Sequence, residues 1–278
     1  MRCLALALLV LLTLAAACGT EKKERAQAVQ HLVEARTQYI KGDYAEAEKK
    51  YEQYLRLAPD GEFSWEAWNR RVYIWLTVHR NSAQAAELLK EMAVEFSDEP
   101  ARLPQILLQL ANAYETAGEL ANALEAWKAY LELEELDAMN ATSAYHHMAR
   151  LEQDRREYDQ AMHALDRCMA LADTTNQTQP GPPAGALRDR QLECRYEQAR
   201  TRLLQQRYED AQILLDALLK EPGFDPELNA TAGYVLAEIY RNQNNPDKAV
   251  ALLKAIQEMY PNPGVVKSRL EKIEQSKK

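Results

Sequence analysis

The sequence predicts an all-α chain, a stack of about six helix-turn-helix units, and three observations lead there. Ala47, Ala85, Ala123 and Ala161 recur with a period of 38; a longer step reaches Ala211, and the original period then reaches Ala249. Four residues after each alanine stand Tyr51, Leu89, Trp127, Leu165, Leu215 and Leu253, and seven after it Tyr54, Met92, Tyr130, Cys168, Leu218 and Ile256. Positions i, i+4 and i+7 share one face of a helix. Twelve before each alanine stand Ala35, Tyr73, Ala111, Ala149, Ala199 and Ala237, marking a second helix per unit. Small residues at two points per unit let the paired helices approach closely.

In chain order, residues 1–17 come first. Arg2 is the only early charge, and residues 3–17 (CLALALLVLLTLAAA) are uncharged. Fifteen residues fall short of the roughly 20 needed to cross a bilayer as a helix, so the stretch reads as a secretory signal. Residues 18–23 form a short tether, and residues 24–262 carry the six units. The surplus in the step to Ala211 equals the length of 174–185 (TTNQTQPGPPAG), which predicts one inserted external loop. Asn262 can cap a helix opening on Pro263. Val266, Leu270 and Ile273 give that helix an apolar stripe among charged residues, so residues 263–278 read as a capping helix and tail.

Ala15-Ala16-Ala17-Cys18 resembles a bacterial lipoprotein box, whose cysteine is diacylated and becomes the mature N-terminus. By that resemblance Cys18 is the lipidation site, and Gly19 in place of Asp implies the periplasmic face of the outer membrane. The small residues at 15 and 17 also fit ordinary signal cleavage, which gives a soluble periplasmic protein as the alternative. Of the remaining cysteines, Cys168 and Cys194 can pair in an oxidising compartment. The favoured expectation is two buried free thiols.

Composition narrows the chemistry. Nine glycines, none in a run, leave no turn able to cradle a phosphate. A net charge of −8 argues against nucleic acid as a partner. The histidines (His31, His79, His146, His147, His163) have no carboxylate or thiolate at metal-ligand spacing. The acidic run Glu132, Glu134, Glu135 and Asp137 reads as a solvated helix end. No catalytic constellation, cofactor site or metal site is expected, so the chain is read as a non-enzyme.

Leu110-Ala111-x-x-Tyr114-x-x-x-Gly118-x-Leu120-x-x-Ala123-Leu124-x-x-Trp127 resembles the tetratricopeptide repeat (TPR). The first unit matches through Ala35, Tyr39, Gly42-Asp43-Tyr44, Ala47, Tyr51 and Pro59. The second is the weakest match, with Tyr73 at the small position and Arg80 at the turn glycine. The resemblance implies a right-handed superhelical solenoid, though the usual period is about 34 residues. It also implies that the first helix of each unit lines a concave face, at register positions −18, −15, −11 and −8 relative to the marker alanine. Those positions hold Val29, Leu32, Arg36 and Tyr39, then Ala67, Arg70, Ile74 and Thr77; Asn112 follows in unit three and His146 and Arg150 in unit four. Glu193, Tyr196, Arg200 and Leu203 stand there in unit five, and Thr231, Tyr234, Glu238 and Arg241 in unit six. Arginine mixed with tyrosine and leucine suits a peptide, and Arg36, Arg150 and Arg200, each eleven before a marker, suggest an acidic or C-terminal segment. The competing expectation is that these arginines pair with glutamates and support the stack.

The functional expectation is a non-catalytic periplasmic scaffold. It resembles the TPR lipoproteins of outer-membrane protein assembly (BamD-like), anchored by lipid and binding other envelope proteins or peptide segments. The alternative is a periplasmic peptide- or glycan-binding accessory module of a cell-wall or polysaccharide system.

Overall fold

A computed structural model of the chain describes residues 23–175, 184–221, 223 and 225–276. Residues 1–17, Cys18 and the tether up to Lys22 lie outside the described residues. Among those described the chain is all helix, with no strand. The helices are α1 (23–41), α2 (Tyr44–Leu57), α3 (Ser64–Tyr73), α4 (Ser82–Glu95), α5 (Leu103–Ala117), α6 (Leu120–Leu131) and α7 (Ala138–Asp154). They continue with α8 (Tyr158–Thr175), α9 (Ala184–Leu204), α10 (Tyr208–Leu218), α11 (Pro226–Asn242), α12 (Pro246–Ile256) and α13 (Pro263–Ser276). No described helix is long and apolar enough to cross a membrane.

The repeat register fixes both turns and core. One residue with a left-handed backbone joins the two helices of every unit: Gly42, Arg80, Gly118, Arg156, Gln206 and Asn244. Glycine adopts that conformation at no steric cost, and side-chain-bearing residues pay about 1–2 kcal/mol. The turn is therefore imposed by the packing of the two helices, whichever residue occupies it. Asp43, Asn81 and Asn245 follow it and cap the next helix by accepting hydrogen bonds from the amides of Glu46, Gln84 and Lys248. All six marker alanines are fully buried, and the apolar residues four and seven positions later are buried with them.

Unit two departs from the register for a visible reason. A π-helical turn, Ile74–Val78, continues α3. Tyrosine is too large for the slot that alanine fills elsewhere. The added residue of the π turn moves the buried place back by one, to Val72 (2% exposed), while Tyr73 stays 45% exposed. Ala67 and Ile74, expected in the lining, are core residues, and so is Leu32 of α1.

Residues 174–185 also depart from expectation. Thr174 and Thr175 end α8, Ala184 and Gly185 open α9, and residues 176–183 lie outside the described ones. With 18 and 21 residues, α8 and α9 exceed the 14 and 15 of α4 and α5. Part of the surplus therefore extends helices, so the insertion is more than an external loop.

Contacts divide the chain into two compact bodies, one ending at Ala126 and the other starting at Trp127, inside α6. In the N-terminal body α2 packs on α3, α3 on α4 and α4 on α5. In the C-terminal body each helix from α7 to α13 packs on the next. Cys168 of α8 and Cys194 of α9 form a disulfide, with Cα atoms 6.6 Å apart. The expectation of free thiols is thus corrected: neighbouring helices bring both side chains to one point of a cluster with Ala149, Ala164 and Leu165. At the end of this body Val266, Leu270 and Ile273 of α13 cover Ala249, Leu253 and Ile256 of α12. The last repeat is capped as the sequence predicts.

Candidate functional site: a carboxylate-rimmed cleft in the C-terminal body

The first helices of units four, five and six frame a cleft of about 290 Å³. His146 enters from α7, Asp189, Glu193, Tyr196 and Glu197 from α9, and Asp225, Glu227, Leu228 and Thr231 from the start of α11. His146, Glu193, Tyr196 and Thr231 stand at register positions the sequence predicts for the lining. The others were missed. Asp189 belongs to the early turns of the lengthened α9, and Asp225 and Glu227 flank the start of α11, before the register positions begin. Asp189, Glu193 and Glu197 are spaced by four, a stripe along one helix face that the sequence does carry.

Each carboxylate has a distinct setting. Glu193 is bridged by Arg190, whose Nη1 also lies 3.4 Å from Nδ1 of His146. Glu197 is buried and accepts a hydrogen bond from Nε2 of Gln153 at 3.0 Å, with Nη1 of Arg200 at 3.3 Å. Gln153 donates as well to the Thr201 hydroxyl at 2.9 Å, and that hydroxyl donates to the Glu197 carbonyl at 2.7 Å. Asp225 caps α11 by accepting from the Leu228 amide at 2.8 Å. Asp189 and Glu227 are exposed and form no ion pair among the described residues. Burial, and then the charge of Glu197, push the Tyr196 phenol upward, so it is a neutral donor at ordinary pH.

The N-terminal body has its own cleft, of about 440 Å³, lined by Trp65, Glu66, Arg70, Tyr73, Leu76 and Thr77 among others. Arg36 donates to both oxygens of Glu66, at 2.8 and 2.5 Å, with its guanidinium 4.6 Å from the Phe63 ring. Arg70 stacks over Tyr39 at 4.6 Å and donates to its hydroxyl at 3.2 Å. Tyr39 in turn meets Tyr44 edge-on and tilts against Tyr73. The π turn supplies Leu76 and Thr77, and π turns often mark functional positions.

The remaining predicted residues are dispersed. Asn112 donates to the Leu108 carbonyl of its own helix at 2.8 Å. Arg150 is exposed on α7 and does not line the cleft. Tyr234 packs on Tyr260 at 5.0 Å, and Arg241 pairs with Glu238, which also meets Arg269. Of the three arginines expected to read an acidic segment, Arg36 has a glutamate on the neighbouring helix and Arg200 one on its own. His147 stacks on Trp127 at 4.7 Å, and His163 is exposed. Among the described residues no group of three or more His, Cys, Asp or Glu side chains is placed to hold a metal.

Comparison with known proteins decides the architecture. Tetratricopeptide-repeat family models match residues 32–100 and 202–270. The fold is a TPR solenoid. No curated protein matches the chain in sequence. Among solved structures, BtubC from P. vanneervenii is 16% identical with a TM-score of 0.52, over 87% of this chain and 94% of that one. MamA from Desulfovibrio magneticus RS-1 is 16% identical with a TM-score of 0.52, over 72% of this chain and 96% of that one. These likenesses concern the fold. Tetratricopeptide repeats point to a protein–protein interaction scaffold, and in TPR terms both clefts lie on the first helices of their units.

Proposed function

We propose that the chain is a non-catalytic scaffold of the bacterial envelope, held to the outer membrane by a lipidated Cys18, that binds segments of partner proteins along the first helices of its repeats. The observation that carries the binding half is that each body has a cleft on those helices. The anchoring half rests on the sequence: the uncharged stretch 3–17, three alanines, then Cys18 and Gly19. A tether of a few residues, at roughly 3.4 Å each when extended, keeps α1 close to the lipid surface. Two or more acyl chains anchor a protein far more firmly than one.

The test is fractionation of cells making the chain or its Cys18→Ser variant, with mass spectrometry of the mature N-terminus. The reading expects diacylated Cys18 in outer-membrane fractions and a folded, soluble variant. An unmodified Cys18 in the soluble periplasm overturns the anchor, and partner capture measured on both forms then stands by itself. The peptide reading is favoured over a glycan because Trp65, an aromatic of the N-terminal cleft, is already engaged by Phe96 edge-on and by the Arg102 guanidinium over its ring.

A further inference from the structure

We infer that the cleft of the C-terminal body takes an extended, cationic segment of a partner protein, with lysine or arginine at alternate positions. This deepens the scaffold reading and rests on it. Five carboxylates (Asp189, Glu193, Glu197, Asp225 and Glu227) line one cavity together with Tyr196 and Leu228. Among the described residues, Arg190 pairs with Glu193 and Arg200 with Glu197. Like charges gathered at one place repel and cost stability, and a cleft of one sign concentrates ligands of the other. Apolar surface from Tyr196 and Leu228 beside carboxylates matches the stem and head of a lysine or arginine, which buries its methylenes and keeps its charge at the polar end.

A second feature points the same way. Gln153 lies directly behind Glu197 and is 4% exposed. Its Nε2 serves Glu197 and Thr201, and its Oε1 has no donor among the described residues. Buried acceptors without donors are rare in folded proteins. Nε of Arg190, beside Glu193, is in turn a buried donor without an acceptor among the described residues, so the site is short of polar partners of both kinds.

Geometry sets the spacing. Asp189, Glu193 and Glu197 repeat every four residues along α9, about 6 Å at 1.5 Å per residue. An extended chain presents side chains to one side every second residue, about 6.8 Å. The two pitches nearly coincide over three positions. The occupant is therefore a short extended run of the form Lys/Arg-x-Lys/Arg. An acidic segment, as the register arginines alone suggest, would meet carboxylates here.

The test screens a random library of acetylated, amidated octapeptides against the full chain, with Asp189→Asn/Glu227→Gln as the comparison. These two carboxylates form no ion pair among the described residues, so the variant keeps the fold. The expected result is enrichment of peptides with basic residues at alternate positions. Binding should weaken as salt rises from about 0.05 to 0.5 M and fall about tenfold in the double variant, whose melting temperature holds or rises. Enrichment of acidic or uncharged peptides overturns the inference and leaves the scaffold reading standing. Enrichment of no peptide overturns both. Cationic binding unchanged in the double variant places the site elsewhere and overturns the inference.

Discussion

Reducing the Cys168–Cys194 bond isolates how much of the C-terminal body depends on one cross-link. Reduction removes no side-chain atoms, so no cavity forms; the two sulfurs move apart to van der Waals distance, and the main loss is that of the constraint. The bonded cysteines are 26 residues apart. In the chain-entropy treatment, closing a loop of that length removes about 12 cal/mol/K from the unfolded chain, or about 3.5 kcal/mol at 25 °C. For a body of this size each kcal/mol moves the midpoint by roughly 2–4 °C, so reduction should lower its melting temperature by about 7–14 °C. Circular dichroism melts with and without a phosphine reductant measure the shift. Mass spectrometry of the linked peptide confirms the starting state. A confirmed reduction that moves the midpoint by less than about 3 °C refutes the argument: the helix pair would then be held by packing alone, and the cross-link would add nothing the cluster around Ala149 and Leu165 does not supply.

Four further outcomes follow from the same geometry. Arg156→Gly and Gln206→Gly relieve left-handed turns and should each stabilise by up to about 1 kcal/mol in urea titrations. Glu152 is buried, and desolvation raises its carboxyl above the usual range against the pull of Arg155. Above that raised value its buried charge opposes folding, so Glu152→Gln should raise the melting temperature at neutral pH, with the gain fading as pH falls from the raised folded value toward 4.5 and gone below it. The hydrogen bonds from Arg36 hold the Glu66 carboxyl below 4.5. That contribution is present above the unfolded value and lost as pH falls through the folded one, so Arg36→Met should cost at most about 1 kcal/mol at neutral pH and flatten the acid limb of the stability curve. Deleting residues 174–185 removes the last residues of α8 and the first of α9, and should destabilise the C-terminal body by calorimetry; an unchanged melting temperature would show that these helix ends carry no packing.

Much of the fold is legible because the repeat forces the same demand at fixed intervals. The fully buried marker alanine of each unit leaves room for nothing larger, and its partners at +4 and +7 must be apolar. The turn was legible through Gly42 and Gly118 and obscured at Arg80, Arg156 and Gln206, where packing overrides residue preference. Unit two shows the limit of the pattern. Tyr73 announces a misfit, yet nothing in the sequence says that a π turn resolves it by passing the slot to Val72. The site was legible in part. His146 and Tyr196 stand at register positions and do line one cleft, whereas Asp189, Asp225 and Glu227 belong to the early turns and flanks of helices, where a four-position register does not reach. The arginines were misleading for a physical reason: residues three or four apart on a helix meet, so Arg200 finds Glu197 before any partner arrives. The disulfide could not be read because sequence gives no distance between Cys168 and Cys194.

Photo-crosslinking in living cells tests the central claim, that the chain binds protein segments along the first helices of its repeats. A photoreactive amino acid placed at Thr231, in the C-terminal cleft, should yield protein adducts at discrete masses. The same residue at Lys254, exposed on the second helix of unit six, should yield none of them. The adducts from Thr231 should fade in the Asp189→Asn/Glu227→Gln background. Identical adducts from both positions, or none from the cleft, would contradict the account.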